Sequence, residues 1–310
     1  MDRPAIKRLL SLAVLLVAAG AAAPEPGLRT ARWTAPDRAA EVLTTEPAEC
    51  LPPAADPVQD LRIAIGRTAF RSPLLLGGQA ARIGLSCNSC HRSGHGNPAF
   101  VFLGVSGEPG TADVTSSLLS SHRGDRVFNP RPIPDLSGLK TGLKVDQTAA
   151  AHRLEPFIRS QIMEEFDGPE PTPATLDGLA SYVRALAPQY CAAPVPITLA
   201  RDLARADEAL AAAITLLRQG DPATARVMIA AARSALGLID ERYQPGALRL
   251  RTAGLRRASL ALGAIERRLP GDPNGAAAAL SAWLAAKDSW RSGLRAAEDR
   301  SLYNPVLLRA

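Results

Sequence analysis

Two cysteines stand three positions apart and a histidine follows at once, in Cys87-Asn88-Ser89-Cys90-His91. No other stretch constrains this chain as much. Two thiols at that spacing can add to the two vinyl groups of a haem and hold it by thioethers. The histidine then lies under the ring and ligates the iron. A chain that takes up haem in this way wraps a few helices and long loops around it. The haem then supplies much of the apolar core, which suits a sequence with only 4% aromatic residues. The protein holds four cysteines and four histidines in all, so three of them within five residues mark one site.

Other chemistries fit the stretch less well. A zinc site built from Cys87, Cys90, His91 and His95 would lack the usual second half-site at a distance. A thiol redox pair normally sits at a strand-to-helix junction in a βαβ pattern, and none surrounds Cys87. A Cys87–Cys90 disulfide would close a small strained loop. The expectation is one covalent haem c, on Cys87 and Cys90, with His91 as proximal metal ligand.

Residues 1–23 have the pattern of a signal peptide. Arg3, Lys7 and Arg8 give a positive start, Leu9 to Ala19 a short apolar core, and Gly20 to Ala23 a run of small residues before Pro24. The alternative is an uncleaved N-terminal anchor. Either reading places the rest of the chain outside the cytoplasm, in the periplasm, where haem attachment of this kind is expected. No second apolar run is long enough for a membrane span.

A length of 310 residues suggests two domains, 24–195 and 196–310. From residue 196 onward there are 17 Arg and Lys against 11 Asp and Glu, a surplus of +6 that accounts for the whole net charge. Nucleic acid is a poor explanation for basic charge on an exported protein. Solvated helix faces account for it first, and a docking surface for acidic partners or anionic lipid second. Cys50 and Cys191 flank the haem stretch and belong to no second attachment motif. In an oxidising compartment they would join as a disulfide tying the ends of the first domain.

Along the first domain, residues 24–60 read as an irregular arm rich in Pro and Ala. Leu61, Ile65 and Phe70 recur at helical spacing and predict a helix over 60–70, and Gln79 to Leu85 predicts a short helix leading into the motif. Residues 92–147 read mostly as loop, with a short helix over 111–121. Leu176, Leu179, Tyr182 and Leu186 line one face of a helix over 175–186, placed as the closing helix of a cytochrome c is placed across the haem helix.

The segment Ile65-Gly66-Arg67-Thr68-Ala69-Phe70-Arg71-Ser72-Pro73-Leu74, followed by a Gly-containing loop and Gly84-Leu85-Ser86-Cys87-Asn88-Ser89-Cys90-His91, resembles the approach to a haem motif in bacterial di-haem cytochrome c peroxidase-like proteins. Ile133-Pro134-Asp135-Leu136 is similar to a "Val-Pro-Ser-Leu" step of that family. The stretch from Leu154 through Gly168, with 176–186, is similar to its closing helices. The resemblance covers about residues 60–190 and implies a c-type cytochrome domain. Two departures limit it. The family carries two haem motifs and this chain one, and the family's Tyr/Met-His-Asp-Gly stretch is replaced by Thr141-Gly142-Leu143-Lys144-Val145-Asp146. Peroxidase activity in that family moves electrons between two haems, so it is not implied here.

The sixth position of the iron decides between electron transfer and chemistry. Met163 is the one methionine of the first domain beyond the signal sequence, and it falls about 60° off the apolar stripe Leu154, Ile158, Ile162, Phe166 at 100° per residue. It is the favoured distal ligand. His152, three turns earlier on the same flank, and the loop-borne His122 are the alternatives, beside an open site. Arg67, Arg71, Arg82 and Arg92 are candidate partners of haem propionates, or plain surface arginines.

Beyond Pro194-Val195-Pro196 the chain turns Ala-, Leu- and Arg-rich with helical periodicity. Four helices are predicted, over about 198–218, up to about 243, across Leu248 to Ile265, and through Leu280, Trp283, Trp290 and Leu294. Gly220-Asp221-Pro222 and Gly271-Asp272-Pro273 break and cap them. Short turns between helices of that length predict an antiparallel four-helix bundle. It has no histidine and no Glu-x-x-His set, so a di-iron or haem site within it is not expected. The whole is a mainly α protein, a cytochrome c-like haem domain followed by a helical bundle. The expected function is that of an exported mono-haem cytochrome passing single electrons to and from redox partner proteins. The alternatives are a peroxidase-like enzyme with an open distal site, and a haem-based sensor or scaffold using the bundle for docking. Oligomeric state is not legible.

Overall fold

The computed structural model describes residues 27–308, apart from 116, 117, 123, 125, 139–142 and 245. The signal peptide expected over 1–23 lies outside the described residues, as do two positions of the 141–146 interval. The fold is mainly α. Among the described residues its sheets are two pairs of two-residue strands.

The segment expected as an irregular arm is structured. It carries 3-10 turns at Arg29–Trp33 and Pro36–Arg38, helix α1 (Ala39–Thr44) and strand β1 (Thr45–Glu46), which pairs antiparallel with β4 (Val195–Pro196). Trp33, Val42 and Leu43 are buried. The Arg92 guanidinium donates to the carbonyls of Val42 and Thr45. These anchors come from far along the chain, so local periodicity carries no sign of them.

Helix α2 (Pro57–Phe70) begins three residues before the predicted start because Asp56 caps it. The Asp56 carboxylate accepts from the Val58 N–H at 3.0 Å and Pro57 takes the first turn. Helix α3 (Gly78–Ile83) ends at Gly84, whose φ of +84° only glycine adopts freely. Helix α4 (Cys87–Cys90) carries the cysteines. The helix predicted over 111–121 is not formed among the described residues. Thr111–Ala112 is instead strand β2, paired with β3 (Arg131–Pro132). Asp113 then turns the chain, its carboxylate accepting from the N–H groups of Thr115 and Asn129, a local competitor of helical bonding.

Helix α5 (Leu154–Ser160) runs into a π-turn, Gln161–Glu165, and helix α6 (Pro173–Ala185) closes the segment. Helices α2 and α6 cross at Gly66 and Gly178. A Cβ on Gly66 would fall on the Gly178 carbonyl, and one on Gly178 would come within 2.9 Å of Gly66 N and Arg62 O.

Then come α7 (Leu199–Arg218), α8 (Pro222–Arg242), α9 (Ala253–Arg268), α10 (Pro273–Ala285) and α11 (Asp288–Arg295). Asp221 and Asp272 cap α8 and α10, accepting from Thr224 N and Gly275 N at 2.9 and 2.8 Å. Two predicted helices differ. Leu248 lies in a 3-10 turn ahead of α9, and the fourth helix is interrupted at 286–287. Beyond the interruption, Trp290 sits against Gly254 of α9, where a Cβ would meet it at 2.8 Å. Lys287 and Arg291 both reach Asp207 of α7. Helix α7 packs on α8, α8 on α9, α9 on α10 and α10 back on α7.

One apolar core runs through both halves. Ile65, Phe70, Leu179, Tyr182 and Leu186 belong to the same buried cluster as Leu203, Leu210, Met228, Leu262 and Leu280. The core is thus continuous across the boundary expected at 195/196. A smaller cluster of Trp33, Leu76, Leu85, Phe100, Val105 and Leu119 lies around α3. Among the described residues no helix is long and apolar enough to cross a membrane.

Candidate functional site

The two residues between the cysteines hold the motif in place. Ser89 Oγ accepts from the Ser86 N–H at 3.1 Å, the returning half of a capping box, and its carbonyl accepts from Asn97 Nδ2 at 2.8 Å. Asn88 Oδ1 accepts from the Ser93 N–H at 2.9 Å, where Ser93 takes a φ of +55°. With Asn88 and Ser89 bonded to the protein, Cys87 and Cys90 remain half-buried free thiols. Burial pushes both up to about 12, with the neighbouring Cys87 adding to the effect at Cys90. Neither thiol is poised for disulfide exchange, which needs thiolate at ambient pH.

His91 Nδ1 lies 3.0 Å from the carbonyl oxygen of Pro134. A carbonyl only accepts, so Nδ1 carries the hydrogen and Nε2 keeps its lone pair. Burial holds the imidazole below its ordinary pKa, against the opposing pull of the Pro134 carbonyl and Asp135. The ring is therefore neutral near pH 7, with one nitrogen oriented by the backbone and the other free to ligate a metal. The Pro134 segment is fixed on both sides, by Ile133 N on Gly110 O at 2.9 Å and Leu136 N on Gly94 O at 2.8 Å. The Phe70 ring lies 6.4 Å from that of His91.

Several apolar side chains that pack on the clusters Cys87 and Cys90 join are only half-covered. Cys87, Leu136, Val145, Ile158 and Met163 pack half-buried against the main core, and Cys90, Ile83, Phe102, Ile133 and Phe166 against the smaller one. The donor set fits a covalent haem: two thiols on one short helix, a neutral imidazole with a free Nε2, and an apolar surround.

The candidate distal ligands are placed differently from one another. Met163 is half-buried on the π-turn. There one extra residue per turn breaks the 100° phase used to set it off the apolar stripe. His152 is exposed and lies before α5, at a left-handed φ of 50°, so the flank it was expected to share with Met163 does not exist. His122 is 63% exposed, with Nε2 3.9 Å from Asp167 Oδ1. Arg67 pairs with Glu49 and Glu208, and Arg71 with Glu49 and Glu46. Arg92 donates to the Val42 and Thr45 carbonyls, which leaves exposed Arg82 as the surface arginine of the four. Sequence reasoning missed the role of the Pro134 carbonyl, although the Ile133-Pro134-Asp135-Leu136 step had marked the place.

Cys50 and Cys191 are joined as a disulfide, and His95 lies beside it, with Nε2 3.4 Å from Cys50 Sγ. His95 is thus turned toward this pair and held there by Asp135 and Ser137. No protein-family model matches the chain, and no curated protein or solved structure does either.

Proposed function

We propose that the chain is an exported mono-haem c-type cytochrome of the periplasm that passes single electrons between redox partner proteins. In this reading the first half is a cytochrome c-like haem domain of the peroxidase-like lineage. Cys87 and Cys90 hold haem c by thioethers, His91 Nε2 is the proximal ligand, and Met163 supplies the distal sulfur. The observation that carries it is the His91–Pro134 hydrogen bond, which presents a neutral imidazole with a free nitrogen directly after two unpaired thiols. Bound haem supplies an iron that cycles between ferric and ferrous states.

The rest falls to the chain's own residues. The half-buried Ile133, Leu136, Val145, Ile158 and Phe166 keep water from the site, and the Pro134 carbonyl orients His91. Of the three distal candidates Met163 alone is not exposed, and it shares the core that Cys87 packs on, which favours the carrier over an open, peroxidase-like site. Helices α7 to α11 form an antiparallel four-helix bundle with a broken fourth member, and its arginine-rich surface serves docking of acidic partners. The disulfide is compatible with an oxidising compartment.

Production of the full chain with a haem-attachment system, followed by intact mass and optical and EPR spectra, tests the proposal. One added haem and a six-coordinate low-spin ferric spectrum are expected, with the low-spin state lost in Met163→Ala and covalent haem lost in Cys87→Ala/Cys90→Ala. A high-spin ferric protein that turns over peroxide rapidly overturns the carrier. Haem that stays bound through denaturation in the double cysteine variant overturns the attachment itself.

A further inference from the structure

The Cys50–Cys191 disulfide is asymmetric. Cys50 is fully buried, whereas Cys191 is exposed. Beside the buried sulfur stands His95, whose Nε2 is 3.1 Å from the Ala48 carbonyl and 3.4 Å from Cys50 Sγ. The Ala48 oxygen can only accept, so Nε2 carries a hydrogen, which it shares between that oxygen and the buried sulfur. On the other side of the ring, Nδ1 is 2.9 Å from Ser137 Oγ and 3.2 Å from Asp135 Oδ2. Asp135 is fixed in turn, its Oδ1 accepting from the Ser137 hydroxyl and from the N–H groups of Ser137 and Gly138. The Ser137 hydrogen goes to Asp135, so the ring donates from both nitrogens, from Nδ1 to the Asp135 and Ser137 oxygens and from Nε2 toward Ala48 O and one sulfur of the bond. A disulfide that serves only as a staple needs no such donor.

We propose that Cys50–Cys191 is an exchangeable disulfide, reduced by the dithiol of a partner protein, in which His95 positions a hydrogen-bond donor for the departing Cys50 sulfur. A partner thiolate attacks Sγ of Cys191, the exposed residue of the pair. The S–S bond breaks, its electron pair goes to Cys50 Sγ, and the Nε2–H stabilises that thiolate until it is protonated. The partner's second thiolate then attacks the mixed disulfide and releases Cys191. Two electrons and two protons have passed to the protein, and the partner is left as a disulfide.

The same histidine reaches the motif. The Pro134 carbonyl and the Asp135 N–H belong to one peptide unit, so His95, which holds the Asp135 side chain, also steadies the oxygen that His91 Nδ1 bonds. Reduction at Cys50 changes what His95 Nε2 faces and so alters the His91 hydrogen bond. This relay rests on the proposed haem reading; the thiol exchange does not.

The test treats the purified full-length protein with dithiothreitol in native buffer and follows alkylation of the Cys50 and Cys191 peptides by mass spectrometry. Reduction without denaturant is expected. It should slow about tenfold or more in His95→Ala, the loss of one hydrogen bond to a charged group, and recover in part in His95→Gln, which keeps a donor near Nε2. A bond that opens only on unfolding overturns the exchange, and equal or faster reduction in His95→Ala overturns the role of His95. The relay is read separately, from the haem reduction potential of the protein with and without Cys50→Ser/Cys191→Ser. A shift is expected, and an unchanged potential overturns the relay while the exchange stands. A protein that takes up no haem fails the functional proposal and leaves the alkylation result intact.

Discussion

Glu49 joins more of this molecule than any residue of the Cys87–His91 stretch does. Its Oε1 accepts from Arg71 Nη2 at 2.8 Å and from the Tyr182 hydroxyl at 3.1 Å, and its Oε2 from Arg67 Nη1 at 3.1 Å. Burial works against its charge, yet the Arg71 and Arg67 guanidiniums outweigh it and hold the carboxyl below its ordinary value of 4.5. A carboxyl depressed in the folded state contributes stability that is present above its unfolded pKa and lost as pH falls through the folded one. Glu49→Gln should therefore cost roughly 3 kcal/mol near pH 7, because it leaves Arg71 buried beside less charge. It should also flatten the loss of stability below pH 4.5; denaturant midpoints of both proteins measured from pH 7 downward read the two effects together. An unchanged acid limb would show that other carboxylates carry it. The same network explains why Arg67 and Arg71 were legible only as candidate propionate partners. The residues that bind Arg67 stand 18 and 141 positions away, and no local pattern connects them.

Elements were legible where their signals are local. Asp before Pro marked the starts of α8 and α10, since the carboxylate caps the N–H groups that proline's neighbours leave free. The same device at Asp56-Pro57 starts α2 three residues ahead of the helix that Leu61, Ile65 and Phe70 predict. Phase failed where the helix is not ideal. The π-turn at Gln161–Glu165 moves Met163 relative to a 3.6-residue stripe, and the interruption at 286–287 leaves Trp283 and Trp290 on different helices with rings 5.8 Å apart. The crossing of α2 and α6 is a constraint at the same scale that two glycines record without announcing. Gly66→Ala puts a methyl group on the Gly178 carbonyl, a backbone atom that cannot swing aside as a side chain would. Separation of the helices is the one response open, and overpacking of this kind costs ~3 kcal/mol. Thermal melting should show a clear fall for Gly66→Ala and almost none for Gly293→Ala, where a Cβ meets nothing within 4 Å. Equal melting of the two variants would mean that the crossing is loose.

At the scale of the whole molecule the length and the composition shift near residue 195 suggest two domains, and the described residues are bound across that boundary at several levels. The apolar cluster is continuous from Ile65 to Leu294. Strand β1 pairs with β4, and Arg242 Nη2 donates to the Leu43 carbonyl at 3.0 Å. Arg29 binds Glu241, Arg67 binds Glu208, and Arg205 binds Glu46. Each of these joins the first half to α7 or α8. Removing either half would strand charged partners as well as apolar surface, so partial unfolding carries both penalties. Cooperativity follows from that coupling. Domains that share a core cannot open one at a time without exposing it, whereas beads on a linker can. Scanning calorimetry of the protein should therefore show a single transition, with a ratio of van 't Hoff to calorimetric enthalpy of about 1. Arg67→Ala and Arg205→Ala, which cut pairs between the halves, should lower that one transition and leave it undivided. Two resolved transitions in the unaltered protein would mean that the halves are separate bodies after all, and that the composition shift near 195 is a physical boundary.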